Sequence, residues 1–316
     1  MTHQIRTYPV PSVDGIHTLA GVVFIPEGKP VGILQVVHGM TEYIGRYSRF
    51  MADMAAAGWL VCGHDHLGHG QTADPSEWGF IAHKGGWDIL CRDAVAFGET
   101  VRAEYEARFG PLPFVLMGHS MGSFVARLVA ERYMKPNTLA GLIVMGTGGP
   151  NPAAGAGIAL TGLIKAFRGD KHVSKLIYAL VFGGYVKPFC EEQDIYAWLS
   201  TDRAVRDVYR KDPQCTFPFT VSGMGDLIRL TKNANRGAWF KAMPDGLPIL
   251  LVSGAEDPVG GMSRGVEAVR RKLERAGKQV TCHLYEGYRH EILNDACYDA
   301  VVGDIRDFLD PLVQTP

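Results

Sequence analysis

The stretch PLPFVLMGHSMGS, residues 111–123, decides how this 316-residue chain folds. A run of apolar residues ends at Gly118, and a helix-forming segment begins after Ser120. This order predicts a strand, a turn too tight for side chains and then a helix, with the Ser120 hydroxyl pointing away from the sheet. Gly118 and Gly122 flank the serine because neighbouring backbone passes close on both sides. The G-x-S-x-G pattern in this setting is a nucleophile elbow, and it predicts acyl-transfer chemistry at Ser120.

A second match to the same pattern, residues 261–265, contains Ser263. It follows the loop sequence EDPVGG and not a strand, so it lacks the strand–turn–helix setting of the first match. We therefore interpret Ser263 as the start of a helix, where a serine is an ordinary N-cap residue.

Strand and helix patterns alternate on both sides of the elbow. Buried strands are predicted at 31–39, 139–146 and 247–254, and amphipathic helices lie between such segments. This alternation predicts an α/β fold with a mostly parallel sheet of about eight strands and helices on both faces.

The alternation stops after Pro150 and resumes near residue 243. The intervening segment carries apolar helical stretches but no convincing parallel strand, and it is too long for a plain connection. We therefore predict a core of residues 1–150 and 243–316, with a helical cap at 151–242. Such a cap would cover the carboxyl ends of the strands, where sheets of this kind place their ligands.

Composition and charge narrow the function classes. Hydrophobic residues make up 47% of the chain, which is enough for a substantial core, and the net charge of −1 gives no electrostatic reason to expect a nucleic-acid partner. No apolar run reaches the ~18 residues of a membrane-spanning helix. The six cysteines form no C-x-x-C pair, which indicates reduced thiols. We expect a cytoplasmic protein without a membrane span.

A catalytic serine needs a base, and the base needs an orienting carboxylate. In this type of fold the order is serine, acid, histidine, each after a strand. Asp257 follows the predicted strand 247–254, and His290 follows the last predicted strand, QVTCHLYE. These two residues are the candidate acid and base for Ser120.

Each role has an alternative in the sequence. Glu256 is adjacent to Asp257, but Asp257 lies directly before Pro258, where the backbone is held extended and the carboxylate can be fixed. His283 lies within a predicted strand, which indicates a side chain on a sheet face and not a base.

An oxyanion hole needs two backbone donors aimed at the developing charge. The elbow supplies the N–H of Met121, and the loop after His38 and Gly39 supplies the N–H of Met40 as the second candidate. We also expect His38, Gly39 and His119 to take part in substrate binding.

The sequence GHDHLGHG, residues 63–70, resembles a run of metal ligands. Its four ligand-type side chains are His64, Asp65, His66 and His69. Metal-dependent hydrolases that use such a run place an aspartate directly before the last histidine, and here that position is Gly68. We therefore expect histidines that pack beside the active site, and neither a metal ion nor a cofactor.

Together these segments resemble the α/β-hydrolase superfamily and, within it, the monoacylglycerol lipase and lysophospholipase-like group of serine hydrolases. VVHGMTEYIGRY is similar to that group's oxyanion segment, DHLGHGQT to its glycine–histidine loop, and GHSMGS to its elbow. WLSTDRAVRDVYRKDPQCTFPFT resembles part of its cap, and SGAEDPVG and YEGYRHEILND carry the acid and the base. The group usually has a histidine after Glu42, whereas this chain has Tyr43.

The resemblance implies an α/β-hydrolase fold and a serine esterase or lipase for a small-molecule acyl ester, most simply a monoacylglycerol or lysophospholipid. Amide or peptide hydrolysis, thioester hydrolysis and acyl transfer stay open, because one acyl-enzyme serves all of them. A non-catalytic binding protein is the alternative outside enzymes. The apolar stretches GIALTGLIKAF and SKLIYALVFGGYV predict either cap packing or an acyl-chain tunnel, with peripheral lipid contact through the cap. The sequence gives no oligomeric state.

Overall fold

The computed structural model of the protein describes residues 3–135 and 138–313, so residues 1–2, 136–137 and 314–316 of the predicted core lie outside the described residues. Within them the strands are, in chain order, β1 (His3–Thr7), β2 (Val10–Pro11), β3 (Thr18–Leu19), β4 (Gly21–Pro26), β5 (Gly32–Val37), β6 (Trp59–His64), β7 (Phe114–His119), β8 (Gly141–Met145), β9 (Ile249–Gly254) and β10 (Val280–Tyr285). The α-helices over the same residues are α1 (Ser48–Ala56), α2 (Gly86–Phe109), α3 (Met121–Leu128), α4 (Ala154–Arg168), α5 (Lys175–Val186), α6 (Arg203–Lys211), α7 (Val221–Ala234), α8 (Gly237–Ala242), α9 (Arg264–Arg275) and α10 (Tyr298–Val313).

Eight of the described strands form one sheet, in the order β1-β4-β6-β5-β7-β8-β9-β10. Strand β4 is antiparallel to both of its neighbours, and the pairs from β6 to β10 are parallel. The predicted mostly parallel, eight-stranded sheet is therefore confirmed. Strands β5 and β7 lie side by side although β6 separates them in the chain. Strand order thus reverses between them, which is where such sheets leave a crevice for a ligand.

Helices cover both faces of the sheet. Met51 of α1 and Ile305 of α10 are buried in the apolar cluster on one face. Phe97 of α2, Val125 of α3 and Val269 of α9 are buried in the cluster on the other face. Strands β5, β6, β7 and β9 are buried along their whole length, as expected for parallel strands that are covered on both sides.

Between β8 and β9, the regular elements of the described chain are the helices α4–α8 and one short 3-10 helix, Lys187–Glu192. We call residues 151–242 the cap. Its helix α7 packs against α2 and α3, so the cap contacts the elbow helix directly. Over the described residues, no helix combines the length and the apolarity needed to cross a membrane.

Arg127 on α3 holds the two ends of the cap against the elbow helix. The residue is fully buried, and its guanidinium donates to Thr147 Oγ1 at 3.1 Å just before the cap. Near the end of α7 it donates to the carbonyl of Ala234 and, at 3.0 Å, to Asn235 Oδ1. The Trp239 ring covers the guanidinium, 4.3 Å from it. Because a buried cation is costly without its partners, these contacts fix the base of the cap.

Candidate active site

Ser120 lies at the turn between β7 and α3, in an unusual backbone conformation. Its φ of 52° and ψ of −120° are rare for any residue other than glycine. A side chain on Gly118 would collide with the backbone of Gly122, and one on Gly122 would collide with the carbonyl of Val37. The close approach of neighbouring backbone therefore explains both glycines of the motif. Ser120 itself is partly exposed and lines the large cavity described below.

Asp257 and His290 form a buried hydrogen-bonded pair. Asp257 lies in the turn after β9, is fully buried, and places Oδ2 2.8 Å from His290 Nδ1. Its other oxygen accepts the Val259 N–H at 2.8 Å, which fixes the carboxylate. Because an ionised carboxylate can only accept, His290 Nδ1 donates this bond, and in the neutral ring Nε2 is then the unprotonated nitrogen that a general base requires.

Ser120 and His290 line the same cavity, but their side chains are not hydrogen-bonded to each other. Within the described residues, no hydrogen bond joins Ser120 Oγ to the His290 ring, so the structure shows the acid–base half of the expected relay and not the serine–base half. Bonds of this kind often tighten only when substrate binds. The three-residue relay therefore stays a prediction.

The loop that carries His290 is braced by the cap. The ring of Trp198 lies 5.2 Å from the His290 ring, between centroids. The Glu291 N–H donates to the carbonyl of Leu199 at 2.7 Å. The sequence analysis missed this role for Trp198, although the WLSTDR segment that contains it was already assigned to the cap.

The loop after β5 contains one backbone N–H group that has no acceptor among the described residues. The Gly39 N–H donates to the Glu42 carboxylate, and the Thr41 N–H donates to His69 Nε2 at 3.3 Å. The Met40 N–H between them has no acceptor among the described residues, and Met40 lines the cavity.

Met121 supplies the second candidate donor. It is the first residue of α3, and the first N–H groups of a helix have no partner within the helix. Met121 lines the cavity together with Ser120 and Met40, so both predicted oxyanion donors belong to residues around the serine.

His38 and Gly39, which we predicted to bind substrate, are buried and are not among the described residues that line the cavity, so their substrate-binding role stays a prediction. His38 is fully buried, and its Nδ1–H donates to the Gly39 carbonyl at 2.8 Å while its Nε2 accepts the His66 N–H at 2.9 Å. Burial, with a contribution from nearby His69, lowers the pKa of His38 to about 3, so the ring stays neutral. Both residues therefore support the oxyanion loop from beneath.

The histidines of residues 63–70 pack as neutral rings. Burial lowers the pKa of His64 to about 3 and that of His69 to about 4. The His64 ring lies 4.8 Å from the ring of Phe97, as in an apolar core. In the part of the chain that the structure describes, no group of three or more ligand side chains is arranged to hold a metal ion.

Two residues of the oxyanion segment have partners that sequence reasoning did not find. The Tyr43 hydroxyl donates to Asp212 in the cap at 2.9 Å, so the residue that departs from the family pattern links this segment to the cap. Arg46 makes two hydrogen bonds of 2.6 Å to the Glu291 carboxylate, beside His290. No local signal could have shown either contact, because the partners lie 169 and 245 positions away in the sequence.

The cavity above Ser120 has a volume of about 1090 Å³, at the upper end of the usual range for ligand pockets. Ser120, His290, Met40 and Met121 are among the residues that line it. The walls come largely from apolar cap residues, among them Leu160, Val181 and Leu227.

Comparisons with known proteins agree with this geometry. The family model described as serine aminopeptidase, S33, matches residues 28–296. A monoacylglycerol lipase of Mycolicibacterium smegmatis is 28% identical over 316 residues, covering 95% of this chain and 98% of that protein. A monoglyceride lipase of Mus musculus is 25% identical over 267 residues, covering 84% of this chain and 77% of that protein.

Among solved structures, a thermostable carboxyl esterase from Bacillus coagulans, in complex with glycerol, superposes with a TM-score of 0.91 at 28% identity. The alignment covers 98% of this chain and 99% of that one. These matches confirm the predicted α/β-hydrolase fold and the resemblance to monoacylglycerol lipases. The chain belongs to the serine aminopeptidase, S33, family of α/β hydrolases.

Proposed function

We propose that this protein is a serine hydrolase that cleaves carboxylic esters through an acyl-enzyme on Ser120. The observation that carries the proposal is one cavity lined by the strained Ser120, by His290 and by Met40 and Met121, with Asp257 buried behind His290 and hydrogen-bonded to it. A nucleophile, an oriented base and oxyanion donors are the parts that acyl transfer needs.

In the proposed mechanism, Ser120 Oγ attacks the ester carbonyl while His290 Nε2 takes its proton. The N–H groups of Met40 and Met121 stabilise the oxyanion of the tetrahedral intermediate. His290 then protonates the leaving alcohol, and the acyl-enzyme remains. A water molecule, deprotonated by His290, releases the carboxylic acid and restores Ser120. Asp257 orients His290 and stabilises its charged form.

The proposed substrate is a monoacylglycerol or a lysophospholipid. The apolar cap walls suit a fatty acyl chain, and Ser120 and His290 in the same cavity suit the ester. Relatives whose printed names are monoacylglycerol lipase and monoglyceride lipase support the same class.

Aminopeptidase activity, which the family description names, is less well supported by the cavity. A free substrate amine needs an unpaired carboxylate, and the acidic residues of the described lining are Glu42 and Glu291. Arg46 pairs with both of them.

A panel of glycerol monoesters, lysolipids, thioesters and aminoacyl amides tests the proposal. Turnover of aminoacyl amides without turnover of esters would refute it.

We predict that kcat/KM rises with acyl length. Each buried CH₂ contributes roughly 0.8 kcal/mol of transfer free energy. If the contact persists in the transition state, kcat/KM increases about three- to four-fold per carbon until the cavity is full. Glycerol monoesters from acetyl to octanoyl, below their micelle concentrations, provide the measurement. A flat or falling series would contradict an acyl tunnel and favour a small-ester or aminoacyl substrate.

Two variants on one helix sharpen this test. Leu160→Trp fills the cavity from α4, so we expect it to shorten the rising part of the series while acetyl ester turnover is kept. Leu163→Trp is the matched control, because Leu163 lies on the same helix and is 56% exposed. If kcat/KM depended on acyl length in the same way in both variants, the acyl chain would not lie against Leu160.

We further propose that the cap contacts a lipid surface. Phe167 on α4 is 80% exposed, and Leu176 and Leu180 on α5 are also exposed. Leu180 additionally lines the cavity, so the exposed apolar surface continues to the proposed acyl site. Lys175, next to Leu176 in the sequence, is also exposed, and its positive charge would favour an anionic surface.

We propose a cytoplasmic location because the described cysteines are all unpaired.

Sedimentation with anionic vesicles tests the lipid contact. We expect Phe167→Ser to reduce vesicle binding several-fold while turnover of acetyl esters is unchanged, because one exposed apolar anchor is lost. The control is Ile16→Ser in the hairpin between β2 and β3, where an equally exposed apolar side chain lies outside the cap. Equal losses in both variants, or none in either, would contradict contact through the cap.

A further inference from the structure

A buried cluster of polar side chains lies between the oxyanion segment and the loop of His290. Glu42, Tyr47 and His119 are each at most 5% exposed. His119 directly precedes Ser120, and its ring lies 4.7 Å from the ring of His290, between centroids. The cluster therefore touches the proposed base from below, although the mechanism above does not use it.

The partners of His119 determine its protonation. Its Nε2 lies 3.2 Å from the carbonyl oxygen of His290, which can only accept, so Nε2 carries a proton. Its Nδ1 lies 2.7 Å from the Tyr47 hydroxyl and 3.3 Å from Glu42 Oε1. The Tyr47 hydroxyl has one proton and donates it to Glu42 at 2.8 Å. Its oxygen therefore faces His119 as an acceptor, and Nδ1 also carries a proton.

The charge balance of the cluster leads to the same result. Two carboxylates, Glu42 and Glu291, are buried there, and Arg46 is the one guanidinium that pairs with them among the described residues. A second cation is needed for neutrality, and His119 lies next to Glu42. Unpaired buried charges are costly, so a charged His119 stabilises the cluster.

We propose that His119 is a buried imidazolium that serves as a positioning residue for His290. Through Nε2 it holds the His290 carbonyl, and its positive charge disfavours a second positive charge on the His290 ring. The part of the proposal that concerns the base rests on the proposed function.

The pKa directions support this assignment. Burial disfavours the charged form of His119, but the hydrogen bond and charge of Glu42 outweigh it and raise the pKa of His119. Burial also opposes ionisation of Glu42, yet His119 and then Arg46 hold the pKa of Glu42 well below its usual range. Burial and Glu42 raise the pKa of Tyr47, so its hydroxyl keeps its proton.

The charged state can be measured without turnover. In protein labelled with ¹⁵N-histidine at pH 7.5, we expect both ring nitrogens of His119 to show the protonated pattern, assigned by its loss in His119→Gln. In Glu42→Gln we expect His119 to become neutral, with one unprotonated ring nitrogen. A neutral His119 in the unaltered protein would overturn the proposal, whether or not the protein hydrolyses esters.

The acidic limb of the pH dependence of kcat/KM tests the effect on His290. His119→Gln removes the positive charge beside the His290 ring and leaves two carboxylates and one guanidinium, so we expect the acidic limb to move to higher pH. Glu42→Gln removes the cation together with its partner, and we expect a smaller shift. Tyr47→Phe keeps both charges and is the control. A lower kcat with an unmoved limb in His119→Gln would show a merely structural role and overturn the proposal.

Discussion

Replacing Ser120 with alanine is expected to lower kcat on a carboxylic ester by about 10⁴- to 10⁶-fold, the loss seen when a serine hydrolase loses its nucleophile. The variant should fold normally, because Ser120 Oγ makes no hydrogen bond within the described residues. Substrate should still bind, because the cavity walls and the two methionine amides are unchanged. Single-turnover kinetics on a chromogenic ester measure the loss.

Ser263→Ala is the matched control, since Ser263 occupies the other G-x-S-x-G match. We expect it to keep activity nearly unchanged. A phosphonylating probe should label the unaltered protein and Ser263→Ala but not Ser120→Ala. Loss of turnover and labelling in folded Ser263→Ala, with both kept in Ser120→Ala, would reverse the assignment. An absence of labelling in the unaltered protein would favour a non-catalytic binding protein.

The fold could be predicted well because its main signals are local. A few consecutive residues are enough to predict the conformation of three segments. These are the strand that ends at His119, the turn with the glycines around Ser120, and the apolar strand β9. Burial on both faces makes these strands uniformly apolar, which the sequence displays directly. The alternation of strands and helices then restricts the sheet to a few topologies.

Contacts made by distant segments were beyond such reasoning. The interpretation of Ser263 as an N-cap gave its place at the start of α9 correctly, but its hydroxyl donates to the Ala255 carbonyl at 2.8 Å and does not cap the helix. The partners of His119 come from residues at least 72 positions away. No local pattern reports that its two ring nitrogens face acceptors on different loops.

The buried histidines near the oxyanion segment show why residue type alone does not identify a metal ligand. His38, His64 and His66 have the chemistry of ligands, yet they are fully buried rings beneath the oxyanion loop. Burial lowers the pKa of each, and a neutral imidazole packs as a small aromatic side chain. Their burial makes them packing residues and not ligands, and burial depends on the tertiary fold.

Replacing Asp257 with asparagine is the second large expected effect, a fall in kcat of about 10⁴-fold. The asparagine is nearly isosteric, so the turn after β9 should persist. The amide can nevertheless present its NH₂ group to His290 Nδ1, which then accepts and leaves the proton on Nε2. In that tautomer His290 cannot take the proton of Ser120. The pH dependence of kcat measures the loss, and we expect partial recovery at high pH, where hydroxide can replace the base.

Glu256→Gln is the control that separates charge from position. Glu256 is the other acid of the same turn, but it is only partly buried, and its backbone N–H, not its carboxylate, holds the structure by donating to the Tyr288 carbonyl at 3.0 Å. We therefore expect Glu256→Gln to retain kcat within a few-fold. Because each variant removes one formal negative charge, the net charge of the turn changes by the same amount in both. Equal losses in both would show that the net charge of the turn matters, and that the hydrogen bond from His290 to Asp257 does not orient the base.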